Sequence, residues 1–336
     1  MISTLASCLP QIEKAVQCRK PLFTEPHANA FRLLNGFTEG VPDLAIDLYA
    51  DTLVIFDFSE PPLPPDRWSP LAEWFGYQIP WIKSVLLKVR NSKNDAEKHG
   101  VLLRGSNLPH KVSENGVWYA VDLTLNKDAS LYLDTRFLRA WLGEHSLEKE
   151  ILNTFAYTGS LGISAAAGGA RKVVQCDLKR RFLALAKQSA VLNGIPEERC
   201  QILAGDFFTQ IANFKKSGTL FDIVIADPPF FSSTSKGRVN LVGQSRRVIN
   251  KLRPLVRDGG WLVSINNALF VSGADYLRDL EELCQDGYLT VEMILPVPDD
   301  FTGYAETQQA NWPADPAPFN HPTKIAILRV TRKSPI

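Results

Sequence analysis

Short apolar segments alternate with helix-like segments over the second part of the chain, and this alternation restricts the fold more than any other feature. The apolar runs lie at 151–155, 172–176, 200–204, 221–226 and 261–265. The helix-like segments between them lie at 163–167, 179–193, 208–214 and 242–256. Strands that are apolar on both faces need helices over both faces of their sheet. The pattern therefore predicts an α/β fold built on a mainly parallel sheet.

The end of the chain departs from this alternation. After a helix predicted at 275–284, strands are predicted at 291–296 and 324–330 with no helix between them, which indicates an antiparallel pair at one edge of the sheet. The connection 299–323 is long and carries Phe301, Tyr304, Trp312, Phe319 and His321. Connections of this length are usually functional or disordered, and we interpret this one as a guide for a base.

The first 128 residues are predicted to form a separate small α+β domain. Two β-prone runs, 31–36 and 44–58, are joined by a turn at 39–43 that contains glycine and proline, a hairpin-like pattern, and 60–65 is too proline-rich for a helix or a strand. Nothing in this part suggests chemistry, so we expect it to position the substrate, either as a docking domain or as a lid. The predicted domains are therefore residues 1–128 and 129–336.

Composition excludes several classes of protein. With 45% hydrophobic and 22% charged residues, the chain is neither disordered nor a coiled coil. No apolar run approaches the ~18 residues that a membrane span needs. The five cysteines are odd in number and form no CxxC pair, which argues against a disulfide framework and against a metal site. We expect a soluble cytoplasmic protein with reduced thiols, and the sequence leaves open whether it forms a homodimer.

A ligand pocket is predicted where the first strands end. Gly159 and Gly162 lie in the turn after the first strand, and a dinucleotide fingerprint would need a third glycine, so NAD is disfavoured. Asp177 follows the second strand, where a carboxylate can bind the hydroxyls of a ribose. Asp206 follows the third strand and can accept from an adenine amino group, although acids there also cap helices. Together these residues favour an adenosine pocket.

Asp227-Pro228-Pro229-Phe230 follows the apolar strand 221–226 and is the motif most informative about chemistry. The Asp227 carboxylate and a proline carbonyl offer two hydrogen-bond acceptors beside an aromatic ring. This arrangement suits a planar group that bears an amine, with Phe230 stacking on the base. The structural alternative is a helix capped by Asp227 with proline in its first turn.

In this order and spacing, the glycine turn, the two acids and the Asp-Pro-Pro-Phe motif resemble those of class I S-adenosylmethionine-dependent methyltransferases. More narrowly, Asn153-x-Phe155-x-Tyr157-Thr158-Gly159, preceded by Leu-Tyr-Leu-Asp-Thr-Arg at 131–136, resembles the bacterial large-subunit ribosomal RNA methyltransferase family of cytosine-C5 and guanine-N7 enzymes. Residues 36–44 and 47–49 are similar to the central domain of that family.

The resemblance implies a Rossmann-like seven-stranded methyltransferase sheet with an antiparallel last strand, and S-adenosyl-L-methionine as cofactor. The residues that it places around the cofactor are Phe155, Tyr157 and Gly159 at the methionine, Asp177 at the ribose, Asp206 at the adenine, Arg136 at a carboxylate, and Asp227. The acceptor base would lie at Asp227, Pro228, Pro229 and Phe230.

The sequence departs from the cytosine-C5 branch in two respects. That branch has an RNA-binding domain before the shared central domain, where about 20 residues stand here. It also carries a nucleophilic cysteine after the fifth strand, where this chain has Ser-Ile-Asn-Asn at 264–267. Carbon C5 of cytosine needs a thiolate to add at C6 before it can attack, whereas a base nitrogen attacks directly. We therefore expect methylation of a nitrogen.

The segment 228–257 contains seven basic residues and no acid. Such a run can follow a phosphate backbone, although a solvated basic helix face is an equally good interpretation. We expect RNA, and ribosomal RNA first, as the partner, bound by Lys236, Arg238, Arg246 and Arg247. The alternatives are a methyltransferase for a small molecule or a protein amide, and a non-catalytic RNA-binding protein that retains the fold.

Overall fold

The computed structural model describes residues 8–234, 236–240 and 245–332, with 231–234 and 238–240 as backbone alone. The described chain divides into two compact units. Unit 1 contains 8–133 together with Pro298–Trp312, a segment called the strap below, and unit 2 contains the remainder. The sequence prediction put the boundary a few residues earlier and assigned the strap to the second domain.

Unit 1 is an α+β unit. Its helices are α1 (Leu9–Arg19), α2 (Ser69–Gln78) and α3 (Asp95–His99), with a short helix at Asp299–Thr302 in the strap. Its strands are β1 (Ala30–Asn35), β2 (Leu44–Tyr49), β3 (Thr52–Asp57), β4 (Ser84–Val89), β5 (Val101–Arg104), β6 (Lys111–Glu114) and β7 (Val117–Ala120). Strands β1 to β5 form a sheet in chain order, in which only the β3–β4 pair is parallel.

Arginine side chains explain why the strap belongs to unit 1. Arg19, which is fully buried, donates from Nη2 to the carbonyl of Asp300 at 2.7 Å. The Arg19 guanidinium also lies 4.9 Å from the ring centroid of Tyr304, and that of Arg32 lies 3.6 Å from the centroid of Phe301. Each cation–π contact is worth about 0.5–2 kcal/mol. Two of the aromatic rings that we interpreted as a base guide are therefore held against arginines of unit 1.

Unit 2 alternates strands and helices. Its helices are α4 (Arg136–His145), α5 (Ser160–Ala167), α6 (Arg180–Leu192), α7 (Phe207–Lys216), α8 (Ser245–Leu252) and α9 (Gly273–Cys284). Its strands are β8 (Glu150–Thr154), β9 (Lys172–Asp177), β10 (Cys200–Ala204), β11 (Phe221–Ala226), β12 (Phe231–Thr234), β13 (Gly237–Asn240), β14 (Val256–Asn266), β15 (Leu289–Leu295) and β16 (Lys324–Val330).

Seven strands in the described part of unit 2 form one sheet, in the order β10-β9-β8-β11-β14-β16-β15. The first five are parallel, and β16 is antiparallel to both of its neighbours. This confirms the predicted α/β fold with an antiparallel last strand. Since the five parallel strands end at the same edge, the residues that follow them lie along one line. No helix within the described ranges is long and apolar enough to span a membrane.

Among the helices of unit 2, the one before β14 differs most from its predicted bounds. The helix expected at 242–256 is described only from Ser245, since 241–244 lie outside the described residues, and it ends at Leu252. A single 3-10 turn, Arg253–Leu255, follows, because Pro254 has no N–H to donate and cannot continue the helix. Strand β14 then begins at Val256, before the predicted start at 261.

Candidate active site

The turn after β8 is the most constrained part of the carboxyl edge of the unit 2 sheet. Phe155 and Tyr157 adopt positive φ angles of 55° and 52°, which side-chain-bearing residues rarely do. The Tyr157 N–H donates to Asp177 Oδ2 at 2.9 Å, so the carboxylate of the last residue of β9 fixes this turn. Strain of this kind gathers at functional sites and persists because neighbouring contacts enforce it.

Gly159 is required here by packing inside the protein. Its φ is 79°, and a Cβ atom built on it would lie 2.5 Å from Cβ of Ala186 and 2.8 Å from Nε2 of Gln175. The Gln175 amide also donates to the Gly159 carbonyl at 3.0 Å. The sequence identified the glycine correctly as special but assigned the close approach to a ligand, whereas the neighbours of its α-carbon are β9 and α6.

Asp177, the residue predicted to bind the ribose, ends β9. Its carboxylate accepts the N–H groups of Tyr157 and Lys179, each at 2.9 Å, and so has a fixed orientation. Burial raises its pKa, while those N–H groups lower it. Each carboxylate oxygen has two lone pairs, so a carboxylate held in this way still has acceptor capacity for hydroxyls. Leu178, which follows it, exposes 56% of its surface and offers an apolar contact beside the acid.

Asp206 caps α7. Its Oδ1 accepts the N–H of Thr209 at 3.1 Å, which is the helix-capping role that the sequence left open for this acid. Next to it, Phe207 stacks on Phe155 with a centroid distance of 4.4 Å. Contact of Asp206 with an adenine stays a prediction, and so does contact of Arg136, the first residue of α4, with a carboxylate.

Asp227 follows β11 directly and has the most perturbed carboxyl group of this edge. Burial and the nearby charge of Asp134 raise its pKa from 3.8 to about 7. Asp134 is itself fixed by Thr323, whose hydroxyl donates to Asp134 Oδ2 at 2.8 Å. A carboxyl group that titrates near neutral pH can accept or hold a proton during a reaction. No group of three or more possible metal ligands occurs among the residues that the structure describes.

The Asp-Pro-Pro-Phe motif forms no helix in the described structure, so the capping alternative is wrong for Asp227. Pro228 is buried, and its carbonyl lies 3.5 Å from Nδ2 of Asn267, which follows β14. Pro229 is exposed, and Phe230 exposes 47% of its surface. An exposed ring beside two oxygen acceptors can stack on a planar group whose amine they bind.

The cysteines of unit 2 have unreactive surroundings. Burial raises the pKa of Cys176 to about 12 and also raises the pKa values of Cys200 and Cys284. A thiol with a raised pKa is protonated at neutral pH and is a poor nucleophile. Asn266, the last residue of β14, and Asn267, which follows it, lie in the segment 264–267, where the resemblance to the cytosine-C5 branch would place the nucleophile.

Much of the basic run is paired with acids. Arg246 contacts Asp279 and Glu282 of α9, and Arg253 contacts Asp286. Arg247 and Lys236 are exposed, and the side chain of Arg238 lies outside the described residues. The prediction that Lys236, Arg238, Arg246 and Arg247 bind RNA remains a prediction, with part of the charge of Arg246 already balanced by α9.

The start of β16 carries a buried lysine that the sequence analysis did not identify. Lys324 is fully buried, and its ammonium donates to the carbonyls of Ala268, Val271 and Pro322 at 3.0, 3.1 and 2.6 Å. It lies opposite Asn266, the last residue of β14. The only signal in the sequence is a lysine at the start of an apolar strand, which by itself reads as an exposed strand end.

The chain is similar to known methyltransferases. The family model described as S-adenosylmethionine-dependent methyltransferase matches residues 85–301. Ribosomal RNA large subunit methyltransferase I of Aeromonas salmonicida is 30% identical over 274 residues, which are 76% of this chain and 65% of that protein. Putative ribosomal RNA large subunit methyltransferase YwbD of Bacillus subtilis is 28% identical, over 77% of this chain and 66% of its own length. The chain thus spans about two thirds of these relatives.

Solved structures show the same fold. The putative methyltransferase SMU.776, complexed with SAH, superposes with a TM-score of 0.81 at 20% identity, covering 97% of this chain and 82% of that one. The tRNA m1G37 methyltransferase of M. jannaschii has a TM-score of 0.56 at 16% identity, covering 96% and 79%. With the family model matching well over half of the sequence, the chain belongs to the S-adenosylmethionine-dependent methyltransferase family.

Proposed function

We propose that this protein methylates a base nitrogen in RNA, with ribosomal RNA as the first candidate. The observation that carries the proposal is the acceptor edge after β11, where Asp227, the Pro228 carbonyl and the exposed ring of Phe230 lie together. The cofactor supplies a methyl group on a sulfonium. The two oxygens orient an amine toward that methyl, and Asp227, with its pKa raised to about 7, accepts the proton released.

Asn266 and Asn267 near the carboxyl end of β14, and the raised pKa values of the unit 2 cysteines, favour nitrogen over carbon as the methylated atom. Methylation at C5 of cytosine needs a thiolate beside the base, and the pKa of Cys176 is raised to about 12. A nitrogen with a lone pair attacks the sulfonium methyl without a covalent intermediate. The names of the two relatives support ribosomal RNA as the substrate class. The five free cysteines support a cytoplasmic location.

The test is to incubate the purified protein with labelled S-adenosylmethionine and undermodified RNA, protein or metabolite fractions. Label in RNA, recovered after digestion as an N-methylated nucleoside, is the expected result. Label in protein or metabolites alone would favour the alternative acceptors. Label recovered as 5-methylcytidine would refute the nitrogen assignment, and RNA binding without transfer of label would favour the non-catalytic alternative.

Asp177→Ala should weaken binding of S-adenosylhomocysteine by roughly 10- to 150-fold, because a charged hydrogen-bonding partner is worth about 1.5–3 kcal/mol. Calorimetric titration measures the change, and Glu197→Ala, an exposed acid of the same unit, is the matched control. Asp177→Asn keeps one acceptor oxygen for the Tyr157 N–H and should lie between the two. Equal affinity in all the folded variants would mean that the ribose site has been misplaced.

Arg247→Ala should weaken RNA binding and reduce the slope of log affinity against log salt by roughly 1, since each neutralised phosphate releases counterions. Arg246→Ala is the neighbouring control, and its effect should be smaller because Asp279 and Glu282 already balance its charge. Fluorescence anisotropy with labelled RNA at several salt concentrations measures both slopes. Identical slopes for Arg247→Ala and the parent protein would contradict the proposed contact.

A further inference from the structure

The loop at 267–272 is held by one buried ammonium group. Nζ of Lys324 donates to the carbonyls of Ala268 and Val271 within this loop, and to that of Pro322 on its own segment. Burial lowers the pKa of Lys324 to about 8. Burying an ammonium group costs free energy, and here three carbonyl dipoles compensate for it instead of a carboxylate. We infer that these contacts maintain a loop conformation that packing alone would not.

That loop contacts the acceptor motif, Asp227-Pro228-Pro229-Phe230. Asn266 Oδ1 accepts the N–H of Ala268 at 2.9 Å, which makes the turn out of β14. Asn267, at the start of the loop, places Nδ2 at 3.5 Å from the Pro228 carbonyl. A distance of this length is weak as a hydrogen bond, and such contacts often tighten when a substrate binds. The position of Asn267 relative to Pro228 thus depends on how firmly the loop is held.

The segment 321–324, which contains Lys324, also contacts Asp134. The hydroxyl of Thr323 donates to Asp134 Oδ2 at 2.8 Å, and its N–H donates to Nδ1 of His321 at 2.9 Å. Asp134 is the charge that acts on Asp227. Residues 321–324, just before and at the start of β16, therefore contact both the loop after β14 and the segment before α4. Each of these two segments lies beside the acceptor motif.

We propose that Lys324 is a positioning residue for methyl transfer, which holds the loop 267–272 so that Asn267 and the Pro228 carbonyl orient the amine of the acceptor base. The proposal rests on the proposed function of this edge as the acceptor site. A displacement of about 1 Å at a reacting pair can lower a rate by about 100-fold, so loosening the loop should affect turnover more than cofactor binding.

A purely structural lysine is the competing explanation, and unit 1 supplies its control. Lys88 is also fully buried, donates to the carbonyls of His99 and Asn126 at 2.6 and 2.8 Å, and has its pKa lowered to about 8 by burial. Lys324→Met and Lys88→Met remove the same group from similar surroundings. The two sites differ in one respect: two of the carbonyls bound by Lys324 belong to the loop beside Pro228, whereas those bound by Lys88 lie in unit 1.

The experiment measures kcat, KM and S-adenosylhomocysteine affinity, together with hydrogen exchange of the amides at 267–272. Lys324→Met should lower kcat by roughly 10- to 100-fold, leave cofactor affinity within about threefold and speed exchange in the loop. Lys88→Met should leave kcat and exchange in this loop unchanged. Equal kcat in the parent and a folded Lys324→Met, or an equal loss in both variants, would overturn the proposal.

Asn267→Ala keeps the test decisive if Lys324→Met does not fold. It should lower kcat in the same range while cofactor affinity and loop exchange stay at the parental values, and an unchanged kcat would overturn the proposal. The exchange measurement needs no acceptor. If the parent methylated no RNA, the proposed function would fail. Amide exchange at 267–272 as slow in Lys324→Met as in the parent would separately exclude the positioning role.

Discussion

Asp227→Ala is expected to lower turnover by two or more orders of magnitude while S-adenosylhomocysteine affinity changes little. A group that binds the reacting amine and takes its proton acts mainly in the transition state, so its removal reduces kcat more than ground-state binding. Asp227 lies at the end of β11, and its carboxyl pKa of about 7 suits proton transfer at neutral pH. Single-turnover rates and calorimetry on the same preparation measure the two effects.

The same pKa has a consequence for stability. Between pH 4 and pH 7 the folded protein keeps the proton on Asp227 that the unfolded chain, with a pKa near 3.8, has lost, so this group's contribution to stability falls as the pH rises through that window. This rise of the Asp227 pKa to about 7 corresponds to about 2–4 kcal/mol once partial solvent access is allowed for. Asp227→Asn should therefore stabilise the protein, and more at pH 8 than at pH 5.

Asp134 provides the control for this prediction. Because Asp227 must be deprotonated to accept the proton, kcat should rise with pH as Asp227 loses its own proton near pH 7. Asp134→Asn removes the charge that helps to raise the Asp227 pKa, so this rise should move to lower pH. In Asp227→Asn that rise should be absent, since no carboxyl group remains to titrate. Thermal unfolding at the two pH values and a pH–rate profile check both variants. A profile that is the same in all three proteins, without a gain in stability, would show that Asp227 does not titrate in catalysis.

The sheet of unit 2 could be predicted because its signal is local. Strands such as β8 and β11 are short, mainly apolar runs followed within a few residues by glycine or proline, so the signal for each strand and its end is contained in a short stretch of sequence. The edge that carries Asp177 and Asp227 followed from the same reasoning, since parallel strands end together. The strap could not be predicted in this way. Its contact between Arg19 and the Asp300 carbonyl joins residues 281 positions apart, and nothing in the sequence around either residue indicates that they are partners.

The partners of charged residues likewise could not be predicted from local sequence. The run 228–257 contains no acid, so the sequence read its arginines as available, but Asp279 and Glu282 reach Arg246 from another helix. Lys324 likewise finds its carbonyls on a loop more than 50 residues away. Acids that follow strands are predictable from position alone. The partner of a side chain depends on the packing of distant elements and becomes visible only in the structure.

Glu39→Ala is expected to lower the free energy of unfolding of unit 1 by about 3–5 kcal/mol, because it leaves a buried arginine without its counter-charge. Glu39 and Arg19 are both fully buried and form two parallel contacts, at 2.9 and 3.0 Å. Glu39 also accepts the N–H of Asn35 at 2.7 Å and the hydroxyl of Thr307 in the strap. Denaturant unfolding followed by tryptophan fluorescence measures the loss.

Two further variants separate charge from packing. Lys83→Ala breaks an exposed pair with Asp51 and should have a far smaller effect, since solvent screens that pair. Arg19→Met combined with Glu39→Gln removes both charges and keeps a carbonyl oxygen for the Asn35 N–H, so it should recover much of the stability that Glu39→Ala loses. A loss in Glu39→Ala no greater than in Lys83→Ala would contradict the buried pair. A double variant as unstable as Glu39→Ala would show that the strap depends on the shape and hydrogen bonds of Arg19 rather than on the balance of charge.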